Sequence, residues 1–250
     1  MSHLLVGDQG GTRTITFNRP EAKNALSIAM RREFCELLDA ADRDPEVKAV
    51  IVTGTDPVFT AGVDFKDVDP SSDPRQRQFI VNPGRALRAM RTPVLCAVNG
   101  ACVSGGLEIA LSATFVVASD RARFADTHAR LNVVPAWGLT ALLPKAIGLR
   151  KAREMSITGN FVDAAEALRI GLVNHVVPHD ELLPFTARLA GEIAATPAVA
   201  EVLALYEQGV DLGLNAALAH ETTHAANRPK FDAAEFAAAG RAAAARQRDA

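Results

Sequence analysis

Four things are scarce in this chain of 250 residues. The first is cysteine: Cys35, Cys96 and Cys102 are odd in number and form no CxxC pair. That argues against a disulfide framework and against a thiolate zinc site, and it suits a reducing compartment. The second is excess charge, since 27 Lys and Arg against 29 Asp and Glu leave a formal net charge of -2. The chain therefore lacks the basic footprint of a nucleic-acid binder. The third is long apolar runs: none approaches a membrane span, and the opening MSHLLVGDQGG is too short in its apolar part for a signal peptide. The fourth is repetition, as no tandem period recurs. What remains, 48% hydrophobic and 22% charged residues, is the composition of a globular chain and not of a disordered one. One large domain, or a domain with an appendage, is expected at this length. So is a cytoplasmic location, with neither nucleic acid nor membrane as partner.

Thr12, Thr14 and Thr16 alternate with Arg13, Ile15 and Phe17 as a strand does, and Asn18-Arg19-Pro20 ends it. Ser27 opens an amphipathic helix to about Ala41. Ala49–Thr53, Val94–Val98 and Thr114–Ala118 read as strands buried on both faces. Between the last two, Ser104-Gly105-Gly106 feeds a short helix over Leu107–Ser112. Strands alternating with helices indicate an α/β fold. Past Trp137 helical patterns dominate, broken by a strand-like run at Leu172–Val177, and from Ala187 onward the chain reads as helix, ending in the alanine-rich run Ala233–Ala245. We place a boundary near Thr196-Pro197, giving an α/β core over 1–195 and a helical region over 196–250. Asp67 to Pro83, polar and proline-bearing, reads as a mobile surface loop.

Two patterns could carry chemistry. His220-Glu221-Thr222-Thr223-His224 fits HExxH, in which two histidines one helical turn apart bind zinc and the glutamate activates water. Its continuation fails, because Asn227 and Lys230 stand where a third-ligand pattern needs Gly and His, so a solvated helix face is the simpler reading and no metal is expected. The other pattern is a pair of glycine turns, Phe59–Lys66 and Gly100–Glu108, each following an apolar strand. Each can present unpaired backbone N–H groups, the second at a helix N-terminus, and two donors converging on one point make an oxyanion hole. Glu108, three residues after Gly105, can reach that point from the first helical turn. Pattern alone leaves this reading and that of two ordinary turns equally open.

The blocks NRPEAKNALS (Asn18–Ser27), FTAGVDFKD (Phe59–Asp67), NGACVSGGLEIAL (Asn99–Leu111) and AEALRIGLVNHVVP (Ala165–Pro178) stand in order over about residues 5–190. They resemble the crotonase, or enoyl-CoA hydratase/isomerase, superfamily. The resemblance implies an α/β fold, a crotonase-like spiral of ββα units, with a C-terminal α-helical region that forms a homotrimer or a dimer of trimers. It implies that the Val63 and Gly105 N–H groups hold the thioester oxygen of an acyl-CoA. Ala61, Asp64, Phe65 and Lys66 would line the path of the CoA arm. No separate cofactor is implied, since coenzyme A enters as part of the thioester substrate. Arg19, Lys23 and Lys66 are candidate partners for its phosphates.

Hydratases of the family use a pair of glutamates on one water, and Glu108 matches the first. At the second, FADTHARL aligns on the family's FGQPEILL and puts His128 where the glutamate stands. Histidine also exchanges protons near neutral pH, so His128 is either the second acid/base or a packed residue of the pocket wall. Asp126 is a weaker substitute. Trp137 replaces a small residue of the family's PGAGGT and should fill acyl-pocket volume. Ala237–Ala245 lacks the family's usual Phe and Lys-Arg-Pro ending. An enoyl-CoA hydratase, a lyase of fatty acid metabolism type, is the leading expectation. An isomerase or other single-glutamate lyase comes next, and a weakly catalytic acyl-CoA-binding protein after that.

Overall fold

In a computed structural model, which describes residues 2–67, 81–194, 196, 198–229 and 232–246, the threonine-rich alternation near the N-terminus becomes a strand of a six-stranded sheet. The strands in chain order are β1 (Leu4–Gln9), β2 (Thr12–Phe17), β3 (Ala49–Gly54), β4 (Val58–Thr60) and β5 (Val94–Val98). They continue with β6 (Ala101–Val103), β7 (Phe115–Ser119), β8 (Arg123–Ala125), β9 (Val162–Asp163) and β10 (His175–Val177). The larger sheet has the order β1-β2-β3-β5-β7-β10, parallel except for the β1–β2 hairpin. The smaller has the order β4-β6-β8-β9, parallel except at β9. Three times in succession a long strand of the first sheet (β3, β5, β7) is followed at once by a short strand of the second (β4, β6, β8). This is the spiral of ββα turns that the resemblance implies.

The helices are α1 (Ile28–Arg43), α2 (Pro83–Arg88), α3 (Gly105–Ser112), α4 (Leu139–Ile147), α5 (Leu149–Thr158), α6 (Ala164–Arg169) and α7 (Leu182–Ala194). Ser27 caps α1 as its residue type predicts, its hydroxyl accepting from the Met30 N–H at 3.1 Å. Every residue of β3 and β5 is buried. The period of two sorts them between two cores: Val50, Val52, Cys96 and Val98 join Met30, Phe34 and Leu38 of α1, while Ile51, Leu95 and Ala97 join Leu182 and Ala190 of α7. Phe17 and Phe34 meet edge to face at 5.1 Å between ring centroids. Each such fully buried side chain contributes on the order of 2 kcal/mol.

The chain divides into two compact units, Met1–Ala200 and Glu201–Ala250. Helix α8 (Val199–Gly209) crosses that division, and α9 (Leu214–Asn227) and α10 (Ala233–Arg246) come after it. No single helix among the described residues is long and apolar enough to cross a membrane.

Several local expectations are corrected. The third buried strand starts at Phe115, because Thr114 caps the neighbouring strand through its hydroxyl, which accepts from the Val94 N–H at 3.1 Å. In the run Leu172–Val177 only His175–Val177 is strand; Leu172 and Val173 are buried and donate their N–H groups to Ala167 O, closing α6. The helix expected from Ala187 begins at Leu182, whose N–H donates to His179 O of the 3-10 turn His179–Glu181 that precedes it, and Pro184 stands in its first turn. It ends at Ala194, and α8, α9 and α10 are separate helices. The loop placed at Asp67–Pro83 lies outside the described residues over 68–80; of its ends, Asp67 closes a 3-10 turn and Pro83 is buried as the first residue of α2.

Candidate active site

The first glycine turn leaves the end of β4 and is stitched to the segment Lys23–Leu26. Ala61 N–H donates to Lys23 O at 3.0 Å, Leu26 N–H to Gly62 O at 2.8 Å and Asp64 N–H to Leu26 O at 3.1 Å. Thr60 Oγ1 donates to Asn24 O at 2.7 Å and accepts from Gly62 N–H at 3.1 Å. Asn24 itself is fully buried and ties Thr55, Val58 and Arg19 together. The first two sequence blocks are thus one structural unit, the earlier buttressing the later. In the Leu26–Val63 bridge the Val63 N–H points away from its neighbour, and it has no acceptor among the described residues.

The second turn comes directly after β6. Ser104, just before α3, has φ +48° and ψ −102°, a backbone state that costs a non-glycine residue about 1–3 kcal/mol. It is held there by Ala125 O, which accepts its N–H at 2.9 Å, and by Thr127, whose N–H donates to Ser104 Oγ at 2.9 Å. Gly105 then opens α3 with an N–H that also has no acceptor among the described residues. The two turns touch: a Cβ on Gly62, whose φ is +88°, would lie 2.8 Å from Val103 O and 3.1 Å from Gly105 N. On the other side, a Cβ on Gly105 would lie 2.9 Å from Trp137 Cζ3. Glycine is required at both places by close approach.

Glu108 lies one turn into α3 and is 2% exposed. Its Oε1 accepts from the Trp137 N–H at 2.6 Å and the Leu139 N–H at 3.3 Å. Its Oε2 lies 3.8 Å from His128 Nε2. Burial pushes the Glu108 carboxyl up, outweighing those two N–H groups and the imidazole, and the nearby Asp126 charge adds to the rise. The His128 ring is held from its other side by Asp126, whose Oδ1 lies 2.5 Å from Nδ1 and accepts the His128 backbone N–H at 3.2 Å. Asp126 is 1% exposed. Burial raises its carboxyl, but hydrogen bonds from His128 and Ser156 outweigh that and hold it below the usual carboxylate range.

The other expected site residues surround the first turn and the far side of Gly105. Asp64 is buried, paired with Arg19 Nη1 at 2.5 Å and accepting the Lys66 N–H at 3.0 Å. The Arg19 guanidinium holds its carboxyl below the usual range. Arg19 is therefore already committed to an ion pair, whereas Lys23, Phe65 and Lys66 are exposed, and Ala61 is half-buried in the turn. The Trp137 ring is buried against Gly105 with Arg31 Cζ 5.5 Å from its centroid, and its carbonyl accepts from Arg88 at 2.8 Å. A cavity of about 240 Å³ opens between α4 and α5, lined by Leu139 and Ser156 among others. These two lining residues also reach the carboxylates, Leu139 by its N–H on Glu108 and Ser156 by a hydrogen bond to Asp126.

Sequence reasoning missed the Asp126–His128 contact, the Trp137 N–H on Glu108, and Arg31. Only the first had a signal, the Asp-x-His spacing. His220 and His224 sit on α9 and each meets a different side chain, Gln208 Oε1 at 2.6 Å and Glu201 Oε2 at 3.1 Å. Among the described residues no three His, Cys, Asp or Glu side chains cluster as a metal site would need.

A buried acid, an imidazole beside it and two N–H groups without acceptors among the described residues are thus carried on one spiral of ββα units. The chain belongs to the enoyl-CoA hydratase/isomerase family of enzymes, which it matches over residues 7–238. A probable enoyl-CoA hydratase of Mycobacterium leprae is 38% identical over 193 residues, 76% of this chain and 75% of that protein. The short-chain-enoyl-CoA hydratase of Clostridium acetobutylicum is 33% identical over 228 residues, 89% of this chain and 87% of that one. Among solved structures, an enoyl-CoA hydratase of Mycobacterium tuberculosis matches with a TM-score of 0.76 at 44% identity, covering 86% of this chain and 93% of that chain.

Proposed function

We propose that this enzyme adds water across the double bond of a 2-enoyl-CoA. The observation that carries the reading is the facing pair Glu108 and His128, 3.8 Å apart and largely shielded from solvent, in the same unit as the unpaired N–H groups of Val63 and Gly105. Addition at the β-carbon moves charge onto the thioester oxygen, and two N–H donors there stabilise the enolate, each by about 3 kcal/mol. Proton exchange with water and with the α-carbon falls to Glu108 and His128. The hydration step draws on these groups alone, with coenzyme A entering as part of the substrate. Lys23 and Lys66 are cations near the turn available to its phosphates, while Arg19 serves the turn through Asp64. Relatives named as enoyl-CoA hydratases support this chemistry.

The test is hydration of crotonyl-CoA, monitored by loss of the absorbance of the conjugated thioester. The oxyanion site is tested separately with acetoacetyl-CoA, whose bound form should show an increased enolate fraction by ultraviolet absorbance. Hydration that survives Glu108→Gln would refute the reading. A parent that shifts a double bond but adds no water would move the enzyme to the isomerases of the family.

The helical unit exposes Tyr206, Leu214 and Leu218, which suits burial against further copies in a homotrimer or dimer of trimers. Light scattering on the purified protein measures this. A cytoplasmic location fits the same reading, and cell fractionation checks it.

A further inference from the structure

Asp126 has no part in the reaction as proposed, yet it is buried and joined to His128 twice through one oxygen, Oδ1. An ionised carboxylate only accepts hydrogen bonds. The ring atom facing it at 2.5 Å, Nδ1, must therefore carry a proton. The remaining ring nitrogen, Nε2, looks the other way, and there it meets Glu108 Oε2 at 3.8 Å. That separation is too long for a direct hydrogen bond. Glu108 is oriented independently, through Oε1, by the N–H groups of Trp137 and Leu139. Each partner thus has one atom tied to the scaffold and one atom free toward the other.

We propose that Asp126 is a positioning residue that locks His128 as the Nδ1–H tautomer, which makes His128 Nε2 the base toward water and Glu108 the acid toward the α-carbon. This division of labour rests on the hydratase reading. In it, the water oxygen bonds to the β-carbon while its proton passes to Nε2. The π electron pair moves through the enolate on the thioester oxygen and takes the Glu108 proton at the α-carbon, leaving a 3-hydroxyacyl-CoA. His128 is then imidazolium and Glu108 carboxylate, and one proton passing from Nε2 to Oε2 restores both. Burial of Glu108 favours the protonated start of this cycle, and the lock gives Nε2 a lone pair before substrate arrives.

The direct test is the ring ¹⁵N–¹H correlation spectrum of the resting protein, with His128 assigned by its loss in His128→Gln. An Nδ1–H ring with an unprotonated Nε2 is expected, and an Nε2–H ring overturns the proposal whatever the activity. In Asp126→Ala the ring should revert to the Nε2–H tautomer that free histidine prefers. Kinetics supply the second arm. Asp126→Asn should lower kcat on crotonyl-CoA by up to about 100-fold, the loss expected of His128→Gln itself, while KM moves by less than about threefold. In a His128→Gln background the same change should alter kcat by less than about twofold, since a residue that acts through another has nothing left to act on. Equal losses in both backgrounds would make Asp126 merely structural and overturn the proposal. Asp126→Glu should recover part of the activity. A parent without hydration activity overturns the hydratase reading and the acid–base roles, while the tautomer lock is still decided by the spectrum.

Discussion

Histidine meets carboxylate in both units of this molecule, with different consequences. In Glu201–Ala250 the motif His220–His224 lies along α9, where His224 pairs with Glu201 and His220 with the neutral Gln208. Both sites are open to solvent, and the Glu201 carboxylate is shared with Arg228. In Met1–Ala200 a single histidine stands between two carboxylates that are 1% and 2% exposed. The first arrangement has the better-known sequence pattern, but its two histidines meet different side chains. The second has almost no sequence pattern, and all its parts face one another. Proximity along a helix is local and common. Chemistry at a site needs groups from different elements aimed at one point and shielded from water, so that their interactions are not screened.

The comparison breaks first at Glu108. Glu108→Gln should cut crotonyl-CoA hydration by about 1,000-fold or more, because it removes the exchangeable proton while keeping an acceptor for the Trp137 and Leu139 N–H groups. His128→Gln should cost on the order of 100-fold in kcat. Silence of His128→Gln beside a dead Glu108→Gln would leave one working carboxylate and favour isomerase or lyase chemistry.

The two buried carboxylates should also act oppositely on stability. Glu108 has a raised value in the folded protein, so its stabilising contribution is complete below the unfolded value of about 4.3 and is lost as pH rises through the folded value. Glu108→Gln should therefore raise Tm relative to the parent at pH 7, with the gap closing toward pH 4. Asp126 has a lowered value, so its contribution is present above about 3.9 and is lost as pH falls through the folded value. Asp126→Asn should lower Tm at pH 7, with the deficit shrinking in acid. Melting curves of the three proteins between pH 3 and 8 decide this, and shifts of the same sign for both variants would contradict it.

The smallest effect belongs to the helical unit. His224→Gln removes an exposed pair of the kind that contributes little to stability, so turnover should change less than about twofold and Tm by about 1 °C. A large loss of activity on this change, or on chelation, would put chemistry in α9 after all.

Much of the first unit was legible in the sequence. The apolar runs at Ala49 and Val94 could only be strands covered on both faces, Ser27 marked a helix start, and Ser104-Gly105-Gly106 marked a turn into a helix. These are local matters of periodicity, capping and glycine, and the structure keeps them with shifts of a few residues. The hairpin strand β1 and the four short strands of the second sheet were not legible. Three of those four have only three residues and one has two, too few for alternation to register. The start of α7 was missed because Pro184 reads as a breaker away from its context.

The sequence by itself determined which residue types stood near the site: a glutamate one turn into a helix, a histidine where the family has an acid, and two turns able to offer N–H groups. Only the tertiary structure decided how they are wired. Glu108 and His128 belong to different elements, and their approach depends on the parallel register of β6 on β8. The same register brings Thr127 to Ser104 and so sets the backbone that leads into Gly105. Trp137 reached this site through its backbone N–H as well as its ring, a role that no side-chain pattern encodes. Asp126, set aside as a poor substitute for an acid, is the residue that holds the histidine. Local preferences act over a few residues and can be read in order along the chain, whereas the ionisation and direction of a buried group depend on neighbours that only packing brings together.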